Sequence, residues 1–130
     1  MTGRIVHFEI PFDDGERARE FYREAFGWEL MELPDMNYTL VTTGPSDPTT
    51  GPTEPGFING GMQQRDPATV GAPVLVIDVE DIEATLARIE ELGGSTLVGR
   101  TEVGGMGWSA YFRDGEGNVV GLWQSLASDA

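Results

Sequence analysis

The stretch HFEIPFDDGERAREFYREAFGWEL, His7–Leu30, decides the fold. It reads as a strand, a capped helix, a glycine stop and the start of a second strand. The same plan returns 67 residues later at Val74–Leu97, VLVIDVEDIEATLARIEELGGSTL. Of the 24 aligned pairs, six are identical: Ile10/Ile77, Asp14/Asp81, Glu16/Glu83, Glu24/Glu91, Gly27/Gly94 and Leu30/Leu97. They fall at strand, cap, helix and stop positions. An internal repeat constrains the architecture before any single element does.

Within the first copy, Arg4–Pro11 alternates as a strand. Val6, Phe8 and Ile10 share one face and are expected to meet the helices; Ile5, His7 and Glu9 share the other. Asp13 and Glu16 fit a D-x-x-E capping pattern. Ala18, Phe21, Tyr22 and Ala25 form one helical stripe, and Gly27 stands where a left-handed cap would end the helix. Trp28–Leu33 and Asn37–Thr43 follow as strands around a turn at Pro34–Met36. Gly44–Gly56, GPSDPTTGPTEPG, holds four prolines and three glycines, which exclude a helix or a central strand. Its length suits a lid or a poorly ordered insertion. Phe57–Gln64 is a strand whose glycines suggest a bend or the close approach of another group.

Arg65–Pro73 joins the halves. In the second copy, Val74–Val79 is a strand and Asp81 caps a helix. Ile82, Leu86, Ile89 and Leu92 supply that helix's buried face, and Gly93-Gly94 stops it. Strands follow at Ser95–Val103, Trp108–Arg113 and Asn118–Gln124, with a hairpin turn at Asp114–Gly117. Ser125–Ala130 is expected to fray. Each half is thus β-α-β-β-β. The expected fold is α+β: a single domain of paired βαβββ modules, about residues 4–64 and 73–124. They form a curved mixed sheet around a cup, with the helices outside.

Composition narrows the function. Twenty-two acidic residues against eight basic ones give a formal net charge of −14. Phosphate binding needs clustered Lys and Arg, so nucleic acid and anionic membranes are poor partners. With no cysteine there is no disulfide, thiolate zinc site or cysteine nucleophile. The N-terminus enters a strand at once without a signal-peptide core, which places the expected location in the cytoplasm. No serine-hydrolase elbow, P-loop or dinucleotide fingerprint is present.

The order of elements, with its repeat, resembles the vicinal oxygen chelate superfamily, which includes glyoxalase, bleomycin-resistance proteins and extradiol dioxygenases. The resemblance covers almost the whole chain. It is carried by the opening VHFEIP, by A-x-x-F-Y-x-x-x-F-G-W at Ala18–Trp28 and by D-V-E-D-I-E at Asp78–Glu83. The closing Y-F-R-D-G-E-G-N-V-V-G-L-W at Tyr111–Trp123 is similar to the family's F-x-D-P-x-G-N-x-x-E-L ending.

Where members of that family use a metal, one ligand comes from the first strand and one from the last strand of each module. Aligning Gly60–Gln64 over Val120–Gln124 pairs Gly61 with Gly121 and Gln64 with Gln124. The positions equivalent to ligands are then His7, Gly61, Val74 and Gly121, and only His7 has a ligating side chain. Gly121 stands where the family ending has a glutamate. A one-residue slip in the first module offers Asn59 or Gln63, both poor ligands. The chain holds one histidine, so a two-histidine facial triad cannot form within it. No cofactor is therefore expected, a divalent metal being disfavoured.

The resemblance then implies a small-molecule-binding protein without a catalytic metal. Its ligand is expected to be aromatic or apolar, its cup walled by Tyr38, Gln63, Trp108, Tyr111 and Trp123, and its assembly a homodimer. His7 and Glu9, on one strand face, are the candidate catalytic pair for proton transfer. Two alternatives stand beside this reading. One is a metal-dependent lyase, isomerase or dioxygenase of the same superfamily; the other is a non-catalytic structural or regulatory domain.

Overall fold

The computed structural model describes residues 3–126. It divides into two compact units: a first module, His7–Pro73, and a second that runs from Val74 onward and also takes in the start of the first strand, up to Val6. Both follow the β-α-β-β-β plan, and the fold is α+β. The tail expected to fray lies outside the described residues from position 127 onward, although Ser125 still belongs to the last strand.

The first module contains β1 (Ile5–Phe12), α1 (Gly15–Phe26), β2 (Glu29–Leu33), β3 (Tyr38–Thr42), a hairpin of β4 (Ser46–Asp47) and β5 (Gly51–Pro52), and β6 (Asn59–Gln64). Its strands order as β2-β3-β6-β1, with β6 parallel to β1 and the other neighbours antiparallel. The proline-rich segment carries the small β4–β5 hairpin, closed by an Asp47 carboxylate that accepts from the backbone of Thr49 and Thr50.

The helix cap corrects one expectation. Asp14, not Asp13, is the N-cap of α1; its carboxylate accepts from the Arg17 N–H at 3.1 Å. Asp13 instead pairs with Arg65 at 3.0 Å. The repeat pointed to the right residue, because Asp14 aligns with Asp81, and Asp81 caps the second helix in the same way. Gly27 ends α1 at φ +72°, in the left-handed region.

The motif Ala18–Trp28 explains how α1 sits on its module. Tyr22 stacks on Trp28 with ring centroids 5.0 Å apart, and Trp28 reaches Phe8 of β1 at 5.9 Å. Phe8, as alternation predicts, therefore lies on the helix side. Thr39, Val41 and Met62 are buried, and Arg19 of α1 donates to the Thr39 hydroxyl at 3.3 Å. The stripe is only partly covered, though: Phe21 remains 60% exposed.

The second module contains β7 (Val74–Asp78), α2 (Ile82–Glu91), β8 (Ser95–Val103), β9 (Gly107–Arg113) and β10 (Val119–Ser125), ordered β7-β10-β9-β8. Here the helix seats deeply. Ile82 and Leu86 join Val79, Ala110, Phe112 and Leu122 in one apolar core, with Ile89 against it. Leu92, expected in the buried face, is the C-cap of α2 and is exposed. A buried Gln124 closes the helix start from β10: its side-chain oxygen accepts from the Ile82 N–H at 2.8 Å.

Candidate functional site

Strand register brings a polar trio together in the first module. His7 and Glu9 alternate along β1 and point to the face away from α1. Glu9 is level with Gly61 of β6, and Gly61 is level with Leu40 of β3. Tyr38, two residues before Leu40, shares that face and lies level with Gln63. Its hydroxyl stands 2.8 Å from His7 Nε2 and donates to Glu9 Oε2 at 3.2 Å.

The chemistry of this chain follows from counting protons. A phenol has one O–H, and here it goes to the carboxylate. The Tyr38 oxygen must then accept from His7, which assigns the Nε2–H tautomer to the imidazole. The Nδ1 lone pair is left as an acceptor. Burial holds the His7 pKa down at about 4, so the ring is neutral at neutral pH. Glu9 is buried. A proton passed from Tyr38 to Glu9 can be replaced from His7 Nε2 as Nδ1 takes one up from outside, so the ring stays neutral and the three side chains form a continuous relay.

Gly61 makes that relay possible. A Cβ placed there would lie 1.8 Å from the Tyr38 hydroxyl oxygen and 2.0 Å from the ring carbon that bears it. The tyrosine ring occupies the space a side chain at 61 would need. Gly60, on the other face, is covered by the Phe8 ring in the same way. The close approach suggested by the glycines of Phe57–Gln64 is thus made by an aromatic ring on each side of the strand.

The second module places apolar groups at the matching positions. Val74 and Val76 stand where His7 and Glu9 stand in β1, and both are buried. Gly121 is level with Val76 in β7 and Tyr111 in β9, as Gly61 is level with Glu9 and Leu40. The repeat alignment of Gly61 with Gly121 is therefore also a structural equivalence. Trp123, two residues along β10, shares the Gly121 face and lies over Gly107, whose added Cβ would meet the indole at 2.5 Å.

The residues expected to wall a cup distribute unevenly. Tyr38 and Gln63 are cross-strand neighbours in the first module. Tyr111 and Trp123 share one face of the second. Trp108 lies on the opposite face of that module, level with Gln124, packed against the α2 core and beneath the Arg100 guanidinium at 4.2 Å. Its even number on β9 separates it from Tyr111 by strand parity. The contact that sequence reasoning missed is Tyr38 with His7 and Glu9. It depends on the β3–β6–β1 register, for which the chain carries no local signal.

The site was also tested for a divalent metal. Among the described residues, no three His, Asp or Glu side chains come together. At the ligand-equivalent positions the donors are one imidazole, one valine and two glycines, and the first of those glycines is covered by Tyr38. His7 Nε2 already donates within the relay. This donor set does not fit a metal of the facial-triad or three-ligand kind.

Comparison with known proteins agrees with the fold. The family model described as bleomycin resistance protein-like N-terminal matches residues 4–44. A glyoxylase-like domain-containing protein of Didymella fabae is 30% identical over 126 residues, covering 92% of this chain and 91% of that protein. An ethylmalonyl-CoA/methylmalonyl-CoA epimerase of Cereibacter sphaeroides is 31% identical over 134 residues, covering 95% and 99%. The chain spans 44% of the length of another relative, CFP32 of Mycobacterium bovis, at 27% identity. Among solved structures, Streptomyces coelicolor methylmalonyl-CoA epimerase in complex with 2-nitronate-propionyl-CoA matches with a TM-score of 0.64 at 19% identity, covering 98% of this chain and 97% of that one. A superfamily member from Vibrio splendidus matches at 0.60 and 15%, covering 97% and 100%. These two likenesses are of fold. The repeat, the paired modules and the relatives together define a glyoxalase-type protein. The chain belongs to the glyoxalase/bleomycin-resistance/dioxygenase superfamily, the vicinal oxygen chelate proteins.

Proposed function

We propose that this chain binds a small organic molecule through the Tyr38–His7–Glu9 group and does so without a resident divalent metal. The observation that carries this is the Tyr38 hydroxyl, lodged over Gly61 between an imidazole and a carboxylate. A protein built around a metal keeps ligand positions open toward it. Here a ligand-equivalent position is covered by a phenol that ties up the one histidine. The relay offers a hydrogen-bond acceptor at His7 Nδ1 and, through the Tyr38 hydroxyl, a carboxylate at Glu9. Both suit orienting a polar group on an otherwise apolar ligand.

A second reading is acid–base isomerisation of a carbonyl compound, with His7 and Glu9 as the proton-transfer groups. The 31% identity to the epimerase over nearly all of that protein's length favours it. Acyl-CoA thioesters are therefore the first ligands to try, followed by aromatic compounds.

The test is binding by chelator-treated protein, read by thermal shift and calorimetry. Retained binding is expected, weakened about tenfold by Tyr38→Phe, since one lost hydrogen bond to polar partners is worth roughly 1.4 kcal/mol. Stoichiometric divalent metal in protein purified without chelator would overturn the metal-free reading. Binding that Tyr38→Phe leaves untouched would remove the relay from it.

A further inference from the structure

Asn59 is the cross-strand neighbour of His7. The two are level in the parallel pairing of β1 with β6. Asn59 shares the face of Gly61, two residues on, and the Cβ direction of Gly61 meets the Tyr38 hydroxyl of the relay. His7 and Asn59 therefore leave neighbouring strands side by side, about 4.8 Å apart, on the face away from α1. The Asn59 amide is held in one sense. Its Oδ1 accepts from the Thr43 N–H at 2.9 Å, a group that can only donate, so the Nδ2 end is fixed as well. Nδ2 donates to the Ser46 hydroxyl at 2.8 Å, and that hydroxyl donates to the Gly44 carbonyl at 3.0 Å.

Two unfilled groups of opposite kind remain. Nδ2 carries two N–H bonds, and among the described residues only the one to Ser46 has a partner. On His7, Nε2 serves Tyr38 and Nδ1 keeps its lone pair. Among the described residues no buried side-chain nitrogen or oxygen lacks a partner, so the unpaired Nδ1 is open to the surface. Holding the β4–β5 hairpin would need only the first N–H of Asn59. A donor and an acceptor on one rung match a group that presents an acceptor and a donor on one edge. A carboxamide with its C=O and N–H on the same side, as in a primary amide or a lactam, does so. A carboxylate does not. Ionised, it has no proton for Nδ1, and it meets the charge of Glu9. No arginine of the first module offsets that. Three of its four are on α1, across the sheet, and Arg65 is engaged by Asp13 and the Gly71 carbonyl.

We propose that Asn59 is a ligand-binding residue of the relay site, and that Asn59 and His7 together take the edge of a neutral carboxamide. The ligand's carbonyl oxygen accepts from Asn59 Nδ2, and its N–H donates to His7 Nδ1. The assignment names the polar group that the site selects, and it rests on the reading that a small molecule binds at Tyr38, His7 and Glu9. Both contacts are made within the first module. A secondary amide in its trans form shows its C=O and N–H on opposite edges, so it fits only half of the pair.

NMR titration of the full chain, isotope-labelled on nitrogen and chelator-treated, tests it with benzamide as the probe. Benzamide is expected to bind at about 1 mM, the range of a fragment of its size. It is expected to shift the side-chain NH2 signals of Asn59, identified by their loss in Asn59→Asp, together with the His7 Nδ1 resonance. N,N-Dimethylbenzamide keeps the carbonyl but has no N–H, and benzoate is charged; each is expected to bind at least about tenfold more weakly. Asn59→Asp still accepts from the Thr43 N–H but has no side-chain N–H, and is expected to weaken benzamide at least about tenfold. Asp47→Ala loosens the hairpin turn without touching Asn59, and is expected to bind benzamide as wild type does. That control separates contact with the ligand from a role in holding the hairpin. Four results would each overturn the proposal: no binding of benzamide at about 30 mM, binding that moves neither resonance, equal affinity for either of the other probes, or an equal loss in Asp47→Ala. If aromatic compounds or acyl-CoA thioesters still bind with the expected loss in Tyr38→Phe, such a result removes Asn59 and leaves the proposed site standing. If they fail as well, the site itself falls.

Discussion

Glycine stands at the same place in both modules, and only one of the two is required. Gly61 and Gly121 sit on the last strand of their modules, level with Glu9 and Val76. Beside Gly61 the Tyr38 ring fills the space of a side chain; beside Gly121 the nearest atoms, Val76 Cγ2 at 3.1 Å and Tyr111 Cε1 at 3.5 Å, leave room for a methyl group after a small adjustment. The first module used its glycine to fit a phenol between an imidazole and a carboxylate. The second has valines where those partners would be, and so nothing for a phenol to bridge. One scaffold thus carries a polar relay in one copy and an apolar layer in the other. The difference lies in side chains, because the register of the strands around the two glycines is the same.

Alanine at the two positions gives the largest expected contrast. Gly61→Ala forces the Tyr38 ring out, and with it both hydrogen bonds, for a loss of about 3 kcal/mol or more. Gly121→Ala is expected to stay within about 1 kcal/mol, a tight contact being offset by the lower chain entropy of alanine. Urea unfolding of both variants measures the gap. Adding Tyr38→Ala to Gly61→Ala should recover part of the loss by vacating the space. Equal costs at 61 and 121 would break the comparison at its root.

The next contrast is in pH. His7 has no titrating counterpart, since Val74 stands in its place. The folded protein holds His7 at about pKa 4 by burial, against about 6.5 in the unfolded chain. Between those values the unfolded state binds the proton and the folded state does not. Stability therefore falls as pH drops from about 6.5 toward 4, and is level in this group above 6.5. The ring is partly exposed, so the loss should be discounted to about 2 kcal/mol. Carboxylates titrate near the low end of this window too. The informative quantity is thus the difference between wild type and His7→Gln, measured by unfolding at pH 7.5, 5.5 and 4.5. The two curves should converge as pH falls. Parallel curves would place His7 in a wetter setting than its hydrogen bond to Tyr38 implies.

Much of this was written in the chain, and the limits are physical. The 67-residue repeat located both helices, the α2 cap and the module order, because caps, stripes and glycine stops are local signals. It even held the answer on the α1 cap: the identity of Asp14 with Asp81 outweighs the D-x-x-E pattern at Asp13. Strand parity put His7 and Glu9 on one face. Trp108, expected beside Tyr111 in the cup wall, stands on the opposite face, a separation that the residue numbers alone already require. What could not be read was Tyr38 closing on His7 across β6. Cross-strand register between segments some 30 residues apart rests on the whole sheet. Gly61 was for that reason legible as a missing ligand and not as the space that a tyrosine needs.

The smallest contrast concerns how each module ties its last strand to its helix. Gln64 and Gln124 align in the repeat, and both reach back to the loop that starts a helix. Gln124 does so while buried, its oxygen accepting from the Ile82 N–H at 2.8 Å. That N–H belongs to the first turn of α2 and has no partner within the helix. Gln64 is exposed, and its amide donates to the Asp13 carbonyl at 3.3 Å, a group that water can serve as well. Gln124→Ala leaves a buried donor unsatisfied and is expected to cost about 1.5 kcal/mol. Gln64→Ala is expected to stay within about 0.5 kcal/mol. Amide hydrogen exchange sharpens the same point, since Ile82 should lose protection in Gln124→Ala while the start of α1 hardly changes in Gln64→Ala. A larger loss from Gln64→Ala would mean that α1, despite its exposed outer face, depends on its strand tie more than α2 does. In α2, Ile82 and Leu86 already seat the helix in the core, so losing the glutamine's bond to the Ile82 N–H should loosen only the start of the helix.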